Sequence, residues 1–372
     1  MKRMLAVLFV LMLGVPASAS EPIPVSAKGA VLIDGDSGWV LFGLNENEML
    51  PMASTTKVMT TLIALENAGL DETVTAGKNA TGVPGTSLYL SEGESLSMEH
   101  MLYGLMLRSG NDAAVAVAEH VAGSVPAFAA LMNAKAAELD ADAHFVNPHG
   151  LDADGHAISA LGLARVMRAA MKNPAFRIIT GTSRKVIPWV GNEYSRVLEN
   201  KNRLLKTYEG ATGGKTGYTG KAGRCLVFSA EKNGLSLIGV VLNCPTWFDT
   251  AAAMLDYGFE NFRVERQAVD GAVVSSVPVD GGMLDEVAVA ADARLSAAVP
   301  VGSRTETLIN LPRSISAPVR AGEPLGTMQL VSDGVAVAQC DLRAASDVEA
   351  RTLRQALIRL FRRWLPRTGA RS

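Results

Sequence analysis

The spacing of apolar residues changes along this chain, and that change limits the folds it can adopt. Short runs with a strand-like pattern lie near both ends of the first 262 residues, at 29–33, 39–42, 224–230 and 235–242. Apolar residues between them recur mainly at helical spacing, whereas residues 265–345 hold only short alternating runs. This order predicts an α+β domain with an antiparallel sheet flanked by helices, then a small all-β domain and a terminal amphipathic helix.

Turn and capping residues divide these patterns into elements. The predicted helices cover residues 55–68, 98–107, 112–121, 124–139, 159–171 and 250–262. Ser124 and Ser159 are the expected N-caps of two of them. The Asn233-Gly234 pair between two apolar runs predicts a β-hairpin. We expect the first domain to span residues 20–263, the β domain 264–346 and the terminal helix 347–366.

Composition and charge exclude several classes of protein. The 372 residues are 48 % apolar, which excludes a disordered chain, and three cysteines are too few for a disulfide scaffold. The net charge is −2, but the charges are distributed unevenly along the chain. Residues 351–371 contain seven arginines and no acidic residue, whereas residues 4–350 contain 26 basic and 37 acidic residues. An acidic body argues against nucleic-acid binding, which requires a basic face on the domain.

The first 19 residues have the pattern of a secretory signal. Lys2 and Arg3 precede twelve apolar or glycine residues, and Pro16 then precedes a small-x-small pattern that ends at Ala19. Twelve residues are too few to span a bilayer, which needs about 20. Export followed by cleavage is the favoured interpretation, and an uncleaved short anchor is the alternative. We therefore expect the mature protein to work at the outer face of the cytoplasmic membrane.

The terminal helix carries its apolar and basic residues on different faces. Its apolar face is formed by Leu353, Leu357, Leu360, Phe361 and Trp364. The arginines near them lie off this face, and Pro366 ends the helix. A basic amphipathic helix of this kind suits an anionic membrane surface, in the plane rather than across it. The alternative is a solvated helix docked on the β domain.

Three short motifs carry the residues suited to nucleophilic catalysis. Ser54 and Lys57 share a helix face at i and i+3, so the amine of Lys57 can activate the serine hydroxyl. A lysine base must lose its proton near neutral pH, which requires burial or a second cation such as Lys215. Ser54 also opens a helix, where free backbone N–H groups can bind an oxyanion.

The other two motifs can complete the same cleft. Ser109 and Asn111 lie at a break between two predicted helices, where one can relay a proton and the other can orient Lys57 or a substrate amide. Lys215, Thr216 and Gly217 offer a cation and a hydroxyl for a carboxylate, and a glycine that permits close backbone approach.

The ordered set of motifs resembles penicillin-binding proteins and, more specifically, the low-molecular-mass D-alanyl-D-alanine carboxypeptidases that include penicillin-binding proteins 5 and 6. The resemblance extends to residues 51–57, 108–114, 145–151, 200–205, 215–219, 222–227 and 255–259. It covers roughly residues 24–262 and implies the penicilloyl serine transferase fold. It also implies removal of the terminal D-alanine from peptidoglycan stem pentapeptides, with β-lactams as acylating inhibitors and no cofactor.

The resemblance also assigns a role to each motif residue. Ser54 would be acylated, Lys57 would be its base, and Ser109 would carry the proton to the leaving D-alanine. Asn111 would hold Lys57 and the substrate. The carboxylate of the substrate would bind Lys215 and Thr216. The oxyanion hole would be formed by the backbone N–H groups of Ser54 and Tyr218.

One departure from the family pattern concerns the substrate carboxylate. Members commonly carry an arginine shortly after the strand equivalent to residues 240–242, whereas residues 243–253 contain no cation here. Arg224 or Lys221 are the candidates to replace it. A catalytically weak, penicillin-binding wall protein is one alternative to the carboxypeptidase. A β-lactamase is another, and it would need a deacylating group, for which Glu119 and Glu138 are the candidates after Asn111.

A metal enzyme is a further alternative. His144, His149 and His156, with Asp152 and Asp154, could form a metal cluster. Glycine and proline interrupt this segment, however, and the His-Glu-x-x-His pattern of zinc peptidases does not occur in the sequence. We expect a loop without metal. The spacing across the predicted hairpin is long for a bond between Cys225 and Cys244, so free thiols are expected for both.

Overall fold

The computed structural model describes residues 23–364, with side chains as far as residue 358. These residues form two compact units, 23–262 and 263–364. The predicted signal, residues 1–19, lies outside the described residues. So do Pro366 and the side chains of Leu360, Phe361 and Trp364, which belong to the predicted membrane face.

The first unit is built on an antiparallel sheet. The strands described in it are β1 (Gly29–Asp34), β2 (Val40–Leu44), β3 (Thr73–Thr75), β4 (Ser95–Ser97), β5 (Ala143–His144), β6 (Ala157–Ile158), β7 (Arg184–Ile187), β8 (Arg196–Glu199), β9 (Ala211–Thr219), β10 (Gly223–Lys232) and β11 (Leu235–Leu242). The central sheet has the order β2-β1-β11-β10-β9, and the remaining strands form two-stranded pairs. Strand β9 is therefore an edge strand, paired on one side only.

The predicted hairpin between β10 and β11 is confirmed. Lys232 pairs with Leu235 across a two-residue turn, and Leu226 pairs with Val241 farther along. Asn233 and Gly234 have φ values of 52° and 77°, the left-handed backbone that this tight turn requires.

Helices cover both faces of the central sheet. They are α1 (Lys57–Asn67), α2 (Met98–Tyr103), α3 (Asn111–Ala122), α4 (Val125–Glu138), α5 (Ala160–Met171), α6 (Pro174–Gly181), α7 (Leu204–Thr207) and α8 (Trp247–Asn261). The hydroxyls of Ser124 and Ser159 cap α4 and α5, as predicted, by accepting from the N–H groups of Ala127 and Gly162.

The sheet is buried because its alternate residues face two helical layers. Val31 and Ile33 belong to the core that includes α1 and α5. Leu32 and Leu237 face α8 instead, where a Cβ added to Gly258 would lie 2.5 Å from the Leu237 side chain. Strand β1 is consequently buried along its whole length, which explains its continuous apolar sequence. The predicted fold class is thus confirmed.

Some elements differ from the sequence prediction. Helix α8 begins at Trp247 rather than at residue 250. The predicted helix 98–107 ends as α2 at Tyr103 and continues as a wider π-helical turn, Gly104–Arg108. Helix α6 and the hairpin of β7 and β8 have no counterpart among the predicted elements.

The second unit is the predicted β domain with a helix after it. It contains β12 (Phe262–Ala268), β13 (Val273–Asp280), β14 (Glu286–Ala291), β15 (Leu295–Pro300), β16 (Thr305–Asn310), β17 (Ile315–Ser316), β18 (Pro324–Ser332), β19 (Val335–Ala344) and α9 (Leu353–Trp364). Six of these strands form a sheet in the order β16-β18-β19-β14-β13-β17, and β12 pairs with β15.

Within residues 23–364, no individual helix is both long and apolar enough to cross a bilayer. Helices α3 and α4, bent by 83° at their junction, meet that criterion only as a pair, by length and composition.

Candidate active site

Ser54 lies in a single 3₁₀ turn that leads directly into helix α1. The turn spans Ala53–Thr56, and Lys57 is the first residue of the helix. Thr55 Oγ1 donates to Met52 O at 2.6 Å, and Thr56 Oγ1 donates to Ala53 O at 2.8 Å. These hydrogen bonds fix the turn from within, so the half-buried Ser54 is held on rigid backbone.

Three oxygens surround the amine of Lys57. Its Nζ lies 3.0 Å from Ser54 Oγ, 2.7 Å from Asn111 Oδ1 and 2.6 Å from the backbone oxygen of His149. A neutral amine has two N–H groups and one lone pair. Because the amide and carbonyl oxygens can only accept, they take the two N–H groups, which leaves the lone pair for the hydroxyl of Ser54.

The surroundings of Lys57 favour this neutral form. Its side chain is fully buried, and burial lowers the pKa of Lys57 well below its ordinary value. The positive charges of Lys215 and Lys201 lower this pKa further, while Asp112 opposes the shift. The burial of Lys57 and the positive charges near it therefore favour the neutral amine, the form in which a lysine can act as a base.

Asn111 is fixed at both ends of its amide. Its Oδ1 accepts from Lys57, while its Nδ2 donates to Pro84 O at 2.6 Å. Ser109, two residues earlier, has the left-handed φ of 69° that ends the π-helical turn. No hydrogen bond links the Ser109 hydroxyl to any described residue, so this hydroxyl is available to a ligand.

Lys215, Thr216, Gly217 and Tyr218 all lie on edge strand β9. Lys215 is buried, and its Nζ donates to Thr216 O at 2.8 Å. Burial, with the nearby charge of Lys201, lowers the pKa of Lys215 to about 7. The Thr216 hydroxyl has no hydrogen-bond partner within residues 23–358, and the Tyr218 side chain is exposed. The strand thus presents an amine that makes one hydrogen bond and a hydroxyl that makes none within the described residues.

Gly217 is the point of closest approach between β9 and the Ser54 turn. A Cβ at this position would lie 2.9 Å from Ser54 N and 3.0 Å from Met52 O and Thr55 N. Glycine is required here for space. The close approach also places the N–H of Ser54 directly against the strand.

Some of the predicted site residues are thus in direct contact, and others are not. Hydrogen bonds join Ser54, Lys57 and Asn111, and Gly217 contacts the same turn. Lys215 acts on Lys57 through its charge. No hydrogen bond joins Ser109 to Ser54 or to Lys57 in the described part of the chain.

The loop that follows β5, residues 145–151, completes the site. The three sequence motifs did not indicate that this loop belongs to the site. The backbone oxygen of His149 accepts from Lys57, and Asn147 Oδ1 accepts from the N–H groups of His149 and Gly150. Gly150 has a φ of 88°, and a Cβ there would lie 2.0 Å from Ala53 O. The Asn-Pro and glycine turn signals predicted a loop here, and the family resemblance included residues 145–151 without giving them a role.

His156 stabilises this arrangement as a neutral ring. Its Nδ1 accepts from Val146 N at 3.0 Å, so its Nε2 carries the proton and donates to Thr56 Oγ1 at 3.0 Å. Burial lowers the pKa of His156 to about 4, and burial together with the charge of Lys57 lowers that of His149 to about 3. Within the described residues, no group of three His, Cys, Asp or Glu side chains is placed to hold a metal ion.

The three cysteines, all within the described residues, form no disulfide bonds. Cys225, Cys244 and Cys340 are free and buried. Cys225 pairs in register with Gly217, and burial raises the pKa of its thiol to about 11. The expectation of free thiols for Cys225 and Cys244 is confirmed.

Comparison with protein families identifies the chain. Residues 16–246 match the family model of the D-alanyl-D-alanine carboxypeptidases. The chain belongs to the D-alanyl-D-alanine carboxypeptidase family. Residues 262–350 match a second model, the C-terminal domain of penicillin-binding protein 5. The predicted family is confirmed, and with it the expectation of a serine-type D-Ala-D-Ala carboxypeptidase.

Relatives of this carboxypeptidase cover most of its length. It is 34 % identical to DacF of Bacillus subtilis over 335 residues, 87 % of this chain and 86 % of the relative. It is 31 % identical to DacC of Escherichia coli over 353 residues, 88 % of this chain and 86 % of the relative. The structure of penicillin-binding protein 5 from Haemophilus influenzae matches with a TM-score of 0.78 and 29 % identity, over 89 % of this chain and 99 % of that one.

Proposed function

We propose that this carboxypeptidase removes the terminal D-alanine of peptidoglycan stem pentapeptides through an ester formed on Ser54. One observation carries the proposal. The buried amine of Lys57 lies 3.0 Å from Ser54 Oγ, with its N–H groups taken by Asn111 and the His149 carbonyl. This arrangement suits a general base better than a structural ion pair, since none of these partners carries a negative charge.

The substrate would bind as an added strand along the free edge of β9. Ser54 Oγ attacks the carbonyl carbon of the penultimate residue and gives its proton to Lys57 Nζ. The backbone N–H groups of Ser54 and Tyr218 hold the resulting oxyanion. The C–N bond then breaks, and the departing D-alanine takes the proton from Lys57 by way of the Ser109 hydroxyl.

The second half of the reaction reuses the same residues. Water gives a proton to Lys57 and attacks the ester carbon. The C–O bond to Ser54 breaks, and Ser54 Oγ recovers the proton. A β-lactam would follow only the first half, because its opened ring leaves no separate product that makes room for water. The terminal carboxylate of either ligand would bind at Lys215 and Thr216, because the Thr216 hydroxyl has no partner among the described residues and Lys215 Nζ makes a single hydrogen bond there, to Thr216 O.

Release of D-alanine from a pentapeptide ending in D-Ala-D-Ala tests this function. We expect release by the wild-type protein, none by Ser54→Ala, and full activity in EDTA. A fluorescent penicillin should label the wild type but not Ser54→Ala. Labelling without release of D-alanine would contradict the carboxypeptidase and favour the penicillin-binding wall protein, whereas rapid loss of the label would favour a β-lactamase. Labelling of Ser54→Ala would refute the serine mechanism.

We also propose that the chain is exported by residues 1–19 and held at the membrane surface by residues 347–366, with the β domain as a spacer. The charge pattern of the two ends supports this. In α9, the side chains of Leu353 and Leu357 are 78 % and 49 % exposed, as expected for apolar groups that meet a lipid surface. Deletion of residues 348–372 should leave activity intact and release the protein from membranes. Sedimentation of the truncated protein with membranes would contradict the anchor.

A further inference from the structure

The last turn of helix α6 is hydrogen-bonded to strand β9. Thr180, in this turn, is fully buried. Its hydroxyl accepts from Gly214 N at 2.9 Å and donates to Gly214 O at 3.2 Å. In an antiparallel sheet, a neighbouring strand makes the same two hydrogen bonds to one residue. The threonine therefore takes the place of a strand partner at Gly214.

The backbone groups of Gly214, Thr216 and Tyr218 point to the same edge of β9. Residues two apart along a strand direct their N–H and C=O groups to one side. The threonine on α6 lies outside the sheet, so the groups that it binds face away from β10. In agreement, Arg224, the register partner of Tyr218, accepts from Cys244 N on its other side. This free edge is the one proposed to bind the substrate.

The direction of the substrate puts Gly214 beyond its last residue. The scissile carbonyl would meet the N–H groups of Ser54 and Tyr218. The terminal carboxylate would meet Lys215 and Thr216. A strand bound in this way runs antiparallel to β9, from Tyr218 towards Gly214. A peptide with one more residue would therefore need space and hydrogen-bonding partners beside Gly214.

The end of α6 leaves no space for such a residue. Adjacent strands in a sheet lie about 4.7–4.9 Å apart. A Cβ added to Gly213 would lie only 2.4 Å from Thr180 Cγ2, and one added to Gly181 would lie 2.8 Å from Thr212 O. Helix and strand are thus in contact along residues 212–214, where a longer peptide would have to pass.

Two amide side chains fix this contact. Asn200 Nδ2 donates to Thr180 O at 3.1 Å and to Thr182 O at 3.0 Å. Asn202 is buried, and its Nδ2 donates to Gly213 O at 3.1 Å. Both residues belong to the connection between β8 and α7, so one segment holds the end of the helix and the strand together.

We propose that residues 180–181, the α6 stop, restrict cleavage to the final peptide bond of the substrate. Thr180 is the specificity-determining residue, because its hydroxyl occupies both backbone groups of Gly214 and its methyl group fills the space beside Gly213. The inference rests on the proposed function, because it explains why that reaction removes one residue rather than a longer fragment. The stop acts by exclusion, so its role is separate from that of the residues that hold the carboxylate.

The test compares a pentapeptide that ends in D-Ala-D-Ala with the same peptide extended by a C-terminal glycine. Cleavage of the D-Ala–D-Ala bond releases D-alanine from the first and D-alanyl-glycine from the second, and mass spectrometry distinguishes these products. The rates are measured in the wild type, Thr180→Ala, Thr180→Ser, Asn200→Ala and Thr182→Ala. Thr182 is the matched control, because its hydroxyl donates to Ile178 O of its own helix.

The wild type should release D-alanyl-glycine about 100-fold more slowly than D-alanine. Thr180→Ala should raise the ratio of the two rates by about 10-fold or more, because it frees the backbone of Gly214 and opens space beside it. Asn200→Ala should raise the ratio in the same direction by releasing the end of the helix, and it provides a second test if Thr180→Ala does not fold. Thr180→Ser keeps the hydroxyl, so this variant and Thr182→Ala should keep the wild-type ratio within about threefold.

Several results would overturn the inference. Equal release of the two products by the wild type would show that no stop exists. An unchanged ratio in folded Thr180→Ala would mean that recognition of the carboxylate alone sets the preference. An equal rise in Thr182→Ala would mean that any loosening of the helix end has this effect, and that Thr180 has no special role.

The two proposals fail separately. If the wild type releases D-alanine and D-alanyl-glycine equally well, only the stop is wrong. If it releases neither, the carboxypeptidase function is wrong, and acylation then tests the stop. The probe is benzylpenicillin with its carboxyl group coupled to glycine, and its acylation rate relative to benzylpenicillin should be about 10-fold higher in Thr180→Ala than in the wild type. Equal relative rates in the two proteins would overturn the stop as well.

Discussion

Replacing Gly217 by alanine tests whether the close contact between β9 and the Ser54 turn governs reactivity. Gly217 lies in an ordinary strand conformation, so alanine can adopt its backbone without strain. The added Cβ would nevertheless lie 2.9 Å from Ser54 N, whereas ordinary contacts begin at 3.4 Å. The turn must therefore retreat by about 0.5 Å, since the atoms it meets are backbone.

This displacement sets the expected loss. A misplacement of about 1 Å at a reacting centre costs about 100-fold in rate, so half that distance should slow acylation by about 10-fold or more. The overpacking should also lower the free energy of unfolding by about 1–3 kcal/mol. Acylation by a fluorescent penicillin and thermal unfolding measure the two effects.

Gly220→Ala is the matched control, because a Cβ there would meet nothing within 4 Å. It should acylate at the wild-type rate. If Gly217→Ala also acylates within about threefold of the wild type while remaining folded, the turn does not depend on this contact, and the reasoning from close approach is refuted.

Three further predictions concern the electrostatics and the supports of the site. Acylation should rise with pH as Lys57 loses its proton, because burial lowers its pKa and only the neutral amine is a base; the rate is measured from pH 5 to 9. The free energy of unfolding should rise between about pH 7 and 10.5 because of Lys215. In this range the Lys215 amine is still protonated in the unfolded chain but has lost its proton in the folded chain. This part of the rise should disappear in Lys215→Met. Asp112→Asn should lower the free energy of unfolding by about 1–3 kcal/mol, because Asp112 Oδ1 accepts from the N–H of Ala113 and Oδ2 from that of Leu90, and an amide has only one oxygen with which to accept.

Each of these has a clear contrary result. An acylation rate that falls from pH 5 to 7 would mean that Lys57 acts in its charged form. An identical pH slope of unfolding in Lys215→Met would mean that Lys215 keeps an ordinary pKa. Asp154, which is exposed, provides the control for the third, and an equal loss of stability in Asp154→Asn would remove the special role of Asp112.

The sequence predicted those parts of the site that depend on local spacing. Ser54 and Lys57 are three residues apart at a helix start, and this spacing alone brings the hydroxyl and the amine together. The break between two helical patterns placed Asn111 on a connection, and the structure shows it as the first residue of α3. The hairpin of β10 and β11 followed from one dipeptide.

Contacts made by backbone atoms across long stretches of chain were not predictable in the same way. The carbonyl of His149 accepts from Lys57, which lies 92 residues earlier. Every residue type carries the same backbone carbonyl, so the identity of residue 149 does not indicate this hydrogen bond. Helix α6 has only eight residues, too few for a periodic pattern to be distinguished from a loop. The tertiary fold, not local preference, determines both features.

The identity of the acylated residue tests the central claim most directly. After brief exposure to benzylpenicillin, proteolysis and mass spectrometry should place a single adduct on the peptide that contains Ser54. Lys57→Gln should lose this adduct while remaining folded, because the hydroxyl then has no base. An adduct on Ser109, or rapid acylation of Ser54 in Lys57→Gln, would contradict the assignment of Ser54 as nucleophile and Lys57 as its base.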